Sequence, residues 1–144
     1  MITSILVICM GNICRSPVAE RYLSHFLPDI TVHSAGLIAR PGLPADSKMV
    51  QMAEKNGLFL ADHCSQKFSL ALGNDHDLIL AMEINHLDIL KQQYPQLSGK
   101  CRLLSHWNGR KDIPDPYKKS HEYYEVVYQR LADAAHAWVN ALQV

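Results

Sequence analysis

Ile5-Leu6-Val7-Ile8 is followed, after only seven intervening residues, by Ser16-Pro17. The first run is too short for a helix and apolar on both faces, as a central parallel strand is. A hydroxyl residue before proline marks a helix N-cap and first helical position. A strand that passes into a helix through so short a loop predicts a βα unit at the very start of the chain.

The remaining pattern repeats that alternation. The first helix is expected over Pro17–Phe26, with Val18, Tyr22, Leu23 and Phe26 inward and Leu27-Pro28-Asp29 ending it. Thr31–Ala35 reads as a second strand. Asp46 caps a helix with Met49, Met52 and Ala53 on one face, stopped by Asn56-Gly57. Ser65 is expected to cap a short helix ending at Gly73. Asp77–Met82 and Arg102–Trp107 supply the third and fourth strands, with a helix carrying Leu87, Leu90 and Tyr94 between them. Ser120 opens the longest helix, whose apolar residues Tyr123, Val127, Leu131, Ala134, Trp138 and Leu142 recur every three or four positions. Strands alternating with helices predict an α/β fold: a single-domain three-layer sandwich over 1–144, with a central four-stranded parallel sheet and helices on both faces.

At 144 residues and 48% apolar content, such a chain can bury about two thirds of its unfolded surface, enough for a core without staples. Fourteen basic residues balance fourteen acidic ones, which argues against a general nucleic-acid binder. No apolar stretch is long enough to span a bilayer, and the Ile5–Met10 run lacks the flanks of a signal peptide. Cys9, Cys14, Cys64 and Cys101 fit neither a disulfide scaffold nor paired zinc-ligand spacing, so free thiols and the cytoplasm are expected. The eight histidines do not cluster at ligand spacing. No metal, cofactor or membrane insertion is expected.

The chemistry concentrates in Cys9-Met10-Gly11-Asn12-Ile13-Cys14-Arg15-Ser16, at the carboxyl end of the first strand, where parallel α/β folds bind ligands. Backbone amides of a tight turn, together with the positive end of the following helix, can converge on an anion there. Gly11 allows close approach, and Arg15 offers a planar fork for two phosphate oxygens. A cysteine in that field favours its thiolate, since thiol pKa values fall from about 8.5 to roughly 3.5–7.5 at helix N-termini or beside cations. Cys9 is therefore expected to be a nucleophile, with Ser16 close enough to hydrogen-bond its sulfur. Far downstream, Pro114 and Pro116 stiffen the loop that carries Asp115, suiting it to protonate a departing alkoxide or phenoxide, and Tyr117 can stack on an aromatic substrate. Standing alone, Asp115 reads as an ordinary turn aspartate; Cys9 makes the acid role the better reading.

A cysteine, five residues, arginine and serine near the N-terminus, with Gly-Asn-x-Cys-Arg-Ser within it, resembles the low-molecular-weight protein tyrosine phosphatases. The resemblance continues through Ser34-Ala35-Gly36, Asp62-His63, Asp77 to Glu83 and Ile113-Pro114-Asp115-Pro116-Tyr117, covering essentially the whole chain. The overall pattern is most similar to the bacterial branch associated with capsule or exopolysaccharide export. It implies hydrolysis of phosphotyrosine through a phosphocysteine on Cys9, with Arg15 on the equatorial oxygens and Asp115 as acid and then base. It further implies a phosphate-binding loop of Met10, Gly11, Asn12, Ile13, Cys14 and Ser16, supported by Asn12, Ser34 and His63. Leu37 stands nearest the position of a pocket wall, opposite Tyr117.

Cys14 reads equally as a core residue or, by resemblance, as a disulfide partner protecting Cys9; Cys64 and Cys101 read as buried thiols. The implied partner is a phosphotyrosine protein, a bacterial tyrosine autokinase in this branch, met by a monomer. Two rivals stand beside this reading. Arsenate reduction needs resolving cysteines near mid-chain, and Phe68–Lys100 contains none. A phosphotyrosine-binding or redox-sensing module needs neither Cys9 as nucleophile nor Asp115.

Overall fold

The computed structural model describes residues 1–143. Its strands are β1 (Ser4–Cys9), β2 (Thr31–Gly36), β3 (Leu78–Ala81) and β4 (Cys101–Leu103). All pair in parallel, in the order β2-β1-β3-β4. Between and after them run α1 (Arg15–Phe26), α2 (Ser47–Lys55), α3 (Leu70–Asn74), α4 (Ile84–Gln93) and α5 (His121–Leu142). The expected α/β architecture with a four-stranded parallel sheet is the one observed. Among the described residues no helix is long and apolar enough to cross a membrane.

The two-residue period of a strand sorts β1 between two cores. Ile5, Val7 and Cys9 pack with Val18 and Leu23 of α1, Met49 and Met52 of α2, and Val127, Leu131 and Trp138 of α5. Leu6 and Ile8 face the other way, onto Phe68, Leu90 and Leu97. Because β1 pairs with β2 on one side and β3 on the other, the connections leaving its carboxyl end diverge at Cys9. A crevice forms at such a switch point for want of a covering connection.

Several boundaries differ from expectation for local reasons. Helix α1 starts at Arg15 with Cys14 as its N-cap, so Ser16 lies inside the first turn and its hydroxyl meets Cys9 Sγ instead of capping. Ser69, not Ser65, caps α3, because the Ser65 hydroxyl already accepts from Leu43 N and donates to Arg40 O. Strand β4 stops at Leu103; Leu104–Trp107 turns into a 3₁₀ helix as Ser105 donates to Lys111 O. Phe26 is not inward but partly exposed, stacked on the Tyr22 and His136 rings. Cys64 is exposed, not buried, whereas Cys101 is buried and donates to Leu97 O.

The end of β2 holds the loop after β1 in place. Leu37 N donates to Cys9 O (2.9 Å) and Ile38 N to Met10 O (3.0 Å), continuing the ladder into the loop. Such contact leaves no room at Gly36: a Cβ there would lie 2.5 Å from Met10 O and 2.9 Å from Asn12 N, both backbone atoms. Gly36→Ala is therefore expected to destabilise the fold by about 1–3 kcal/mol, as overpacking does. Gly99→Ala, with open space at its Cβ, is the control; equal urea midpoints for the two variants would contradict the close approach.

Candidate active site

The loop from Cys9 to Ser16 turns through Asn12, whose φ of 58° lies in the left-handed region. Asparagine tolerates that region better than most residues. Its fully buried side chain then ties three segments together. Nδ2 donates to Ser16 Oγ (2.8 Å) and Ser34 Oγ (2.9 Å), and Oδ1 accepts from Gln66 N (2.9 Å). His63 Nε2 lies 2.6 Å from Asn12 O; a carbonyl only accepts, so the ring proton sits on Nε2. Ser34 passes its own proton to Glu20 Oε1 (2.6 Å), and Gln66 Nε2 donates to Ser34 O (3.0 Å).

Ser16 Oγ accepts from Asn12 and lies 2.9 Å from Cys9 Sγ; its hydroxyl proton is the donor to that sulfur whenever the sulfur is a thiolate, which has no proton to give. Asn12 N–H reaches the same sulfur at 3.3 Å. The amides of Gly11, Ile13 and Cys14 meet no protein acceptor among the described residues. The first-turn amides of α1 carry no side-chain cap. Those donors surround a cavity of about 150 Å³ lined by Cys9, Gly11, Ile13, Cys14, Arg15, Asp115 and Tyr117. A tetrahedral anion suits such a cradle.

Two of the lining residues, Asp115 and Tyr117, come from distant sequence. Asp115 projects from the loop before α5, its Oδ1 accepting from Tyr117 N (3.1 Å), and Tyr117 is half exposed with Lys118 Nζ 5.5 Å from its ring centroid. Leu37 does not line the cavity: its backbone is drawn to Cys9 O, and its side chain packs against the core cluster containing Phe68. The second apolar lining residue is Ile13 instead. Arg15 is buried beside the cavity, with Nη1 donating to Glu83 Oε2 (2.5 Å) and Ile113 O (2.9 Å).

Cys9 and Cys14 share the cavity as free thiols but not an environment. Burial, then Asp46 and Asp115, push the Cys14 thiol far above the usual range, with Arg15 opposing. Burial and Asp46 likewise push the Tyr124 phenol up. Among the described residues no cluster of His, Cys, Asp and Glu could hold a metal ion.

Glu20, Gln66 and Glu83 escaped the sequence reading. Only Glu20 carried a signal, lying four residues after Ser16 and so on the same face of α1; the other two arrive from separate segments.

The sequence model of the low molecular weight phosphotyrosine protein phosphatase family matches residues 4–144. The chain is 44% identical over 142 residues to the low molecular weight protein-tyrosine-phosphatase Wzb of Escherichia coli strain K12, covering 99% of this chain and 97% of the relative. The crystal structure of the Erwinia amylovora tyrosine phosphatase AmsI superposes with a TM-score of 0.96 at 45% identity, over 100% of this chain and 95% of that one. Wzb from Escherichia coli K30, in complex with sulphate, gives 0.96 at 46% identity over 99% of both chains.

Asn12 can be dissected by two substitutions. Asn12→Gly keeps access to positive φ but strands its buried partners, with an expected loss of about 1–3 kcal/mol. Asn12→Ala should lose on the order of 1 kcal/mol more, because alanine resists the left-handed turn. Urea unfolding of the pair checks both components, and equal losses would show that the backbone conformation carries no cost.

Proposed function

The chain belongs to the low molecular weight phosphotyrosine protein phosphatase family and is a protein tyrosine phosphatase, and on that premise we propose that Cys9 is its nucleophile, Arg15 its oxyanion clamp and Asp115 its general acid. The observation that carries these roles is the sulfur, the guanidinium and the carboxylate lining one small cavity.

The steps follow from the geometry. Sulfur attacks phosphorus while the bond to the tyrosine oxygen breaks, and Asp115 gives that oxygen its proton. Backbone amides and Arg15 hold the equatorial oxygens as charge spreads over them. Water then attacks the phosphocysteine, Asp115 takes its proton, and the departing sulfur accepts the Ser16 hydroxyl. Asn12, Ser34 and His63, with Glu20 and Gln66 behind them, keep the loop in the shape that aims those amides. Cys9 lines the cavity and is only 3% exposed; a sulfur so enclosed suits the long phosphotyrosine arm, whereas phosphoserine brings its phosphate too close to the peptide backbone. Tyr117 and Ile13 flank the ring.

The physiological substrate is read as a bacterial tyrosine autokinase of polysaccharide export, met by this protein in the cytoplasm, on the resemblance of the whole motif series to that bacterial branch. Cys9→Ser should bind phosphate yet show no turnover and no covalent phosphate. Asp115→Asn should slow the reaction about 10²- to 10⁴-fold, most for aryl phosphates with poor leaving groups. Steady-state rates on a phenyl phosphate series test both, and substantial Cys9→Ser turnover would sink the mechanism. Loss of phosphotyrosine from the autokinase encoded in the same genome, with no thiol-dependent turnover of arsenate, is the expected outcome for the substrate.

A further inference from the structure

Arg15 is anchored along one edge only. Its Nη1 serves two acceptors, Glu83 Oε2 at 2.5 Å and Ile113 O at 2.9 Å, which takes both Nη1 hydrogens. No protein acceptor among the described residues meets Nε or Nη2. Those two nitrogens present parallel N–H bonds on the edge that fits two oxygens of a tetrahedral anion, and Arg15 lines the cavity.

Glu83 is placed unusually for this service. It is the N-cap of α4, yet its side chain makes no capping bond; Asp112 Oδ1 accepts from Ile84 N in its stead. The same Oε2 lies 3.5 Å from Nε2 of His86, which is buried and whose Nδ1 has no partner. Four charged groups bear on that imidazole: Arg15 from α1, Glu83 from the start of α4, and Asp112 and Asp115 from the loop before α5. Burial and Arg15 hold it below the ordinary histidine range, against the three carboxylates. His86 is thus neutral at neutral pH and takes up its proton only in acid.

We propose that Glu83 is a positioning residue that fixes the plane of the Arg15 guanidinium, keeping the Nε and Nη2 edge toward the cavity, and that His86 modulates this hold through the shared Oε2. The inference rests on Arg15 as the anion clamp. A neutral His86 leaves Oε2 to Arg15; a protonated one competes for it and repels the guanidinium. Glu83 also offsets the charge of Arg15, so its removal costs orientation and not attraction for the anion.

Rapid-quench kinetics with an aryl phosphate separate these effects. Fitted for both steps, the Glu83→Gln traces should show the rate constant of Cys9 phosphorylation lowered on the order of 10- to 100-fold, as for a misplaced catalytic group, with the fraction of active molecules unchanged. Inhibition by inorganic phosphate should stay equal or tighten, and Glu83→Asp should recover part of the rate. The ratio of wild-type to Glu83→Gln rate constants should shrink only on the acid side of about pH 6.5, the midpoint of an ordinary histidine, because His86 is held below that range. In a His86→Gln background that ratio should not change with pH. If His86→Gln does not fold, the wild-type ratio alone decides the His86 clause, and a ratio constant down to pH 5 overturns it. An unaltered Glu83→Gln rate constant, with any loss of rate traced to a smaller fraction of active molecules, overturns the positioning role. Failure to trap any covalent phosphate on Cys9 in the quenched wild type would instead overturn Cys9 as the nucleophile.

Discussion

The site depends on one buried amide. Asn12 sits at the single left-handed position of the loop between β1 and α1, and all of its polar groups are satisfied from outside the loop or across it. A turn this tight points successive amides inward, where they repel one another and lack helical partners. Hydrogen bonds to Ser16, Ser34, Gln66 and His63 offset that cost, and each would leave an unsatisfied buried group if lost. The resulting shape is held by residues that do not touch the cavity, which leaves the Gly11, Ile13 and Cys14 amides free to face it.

Two cysteines five positions apart show how sharply the cradle partitions its surroundings. Cys9 receives a hydroxyl and an amide donor at its sulfur. Cys14 is enclosed by apolar groups and lies near Asp46 and Asp115, so its thiol keeps its proton. Asp115 and Tyr117 arrive at the cavity on one proline-stiffened loop whose first residue, Ile113, places its carbonyl on Arg15. Anchoring of the guanidinium and presentation of the acid are therefore mechanically linked.

Likeness to Wzb and AmsI extends from end to end of the chain, and the order β2-β1-β3-β4 explains why the chemistry sits where it does. Divergence of the chain on either side of β1 opens the crevice, and the helix that follows β1 lends it a positive end. Glu83 reaches the same crevice from the carboxyl end of the neighbouring strand β3, which is why a residue 68 positions from Arg15 in sequence can pair with it.

Much of this was legible in the amino-acid order, because the signals are local. The Ile5–Ile8 run, Ser16-Pro17 and the periodic face of α5 each record a choice made within a few residues, and Cys9, Arg15 and Asp115 are residue types for which the chemistry has few substitutes. Errors fell where a side chain had two suitors: Ser16 and Ser65 look like helix caps by composition, but partners from other segments claimed their hydroxyls. Leu37 was misplaced for a similar reason, since whether an apolar side chain lines a pocket or a core depends on which face of the sheet it meets. Sequence by itself determined the strand and helix order, the family, and the loop between β1 and α1 where Cys9 and Arg15 sit. Only the tertiary structure decided which Arg15 nitrogen is anchored, which buried amide holds the loop, and that Glu20, Gln66 and Glu83 stand behind them, because hydrogen bonds between distant segments leave no periodic trace in the chain.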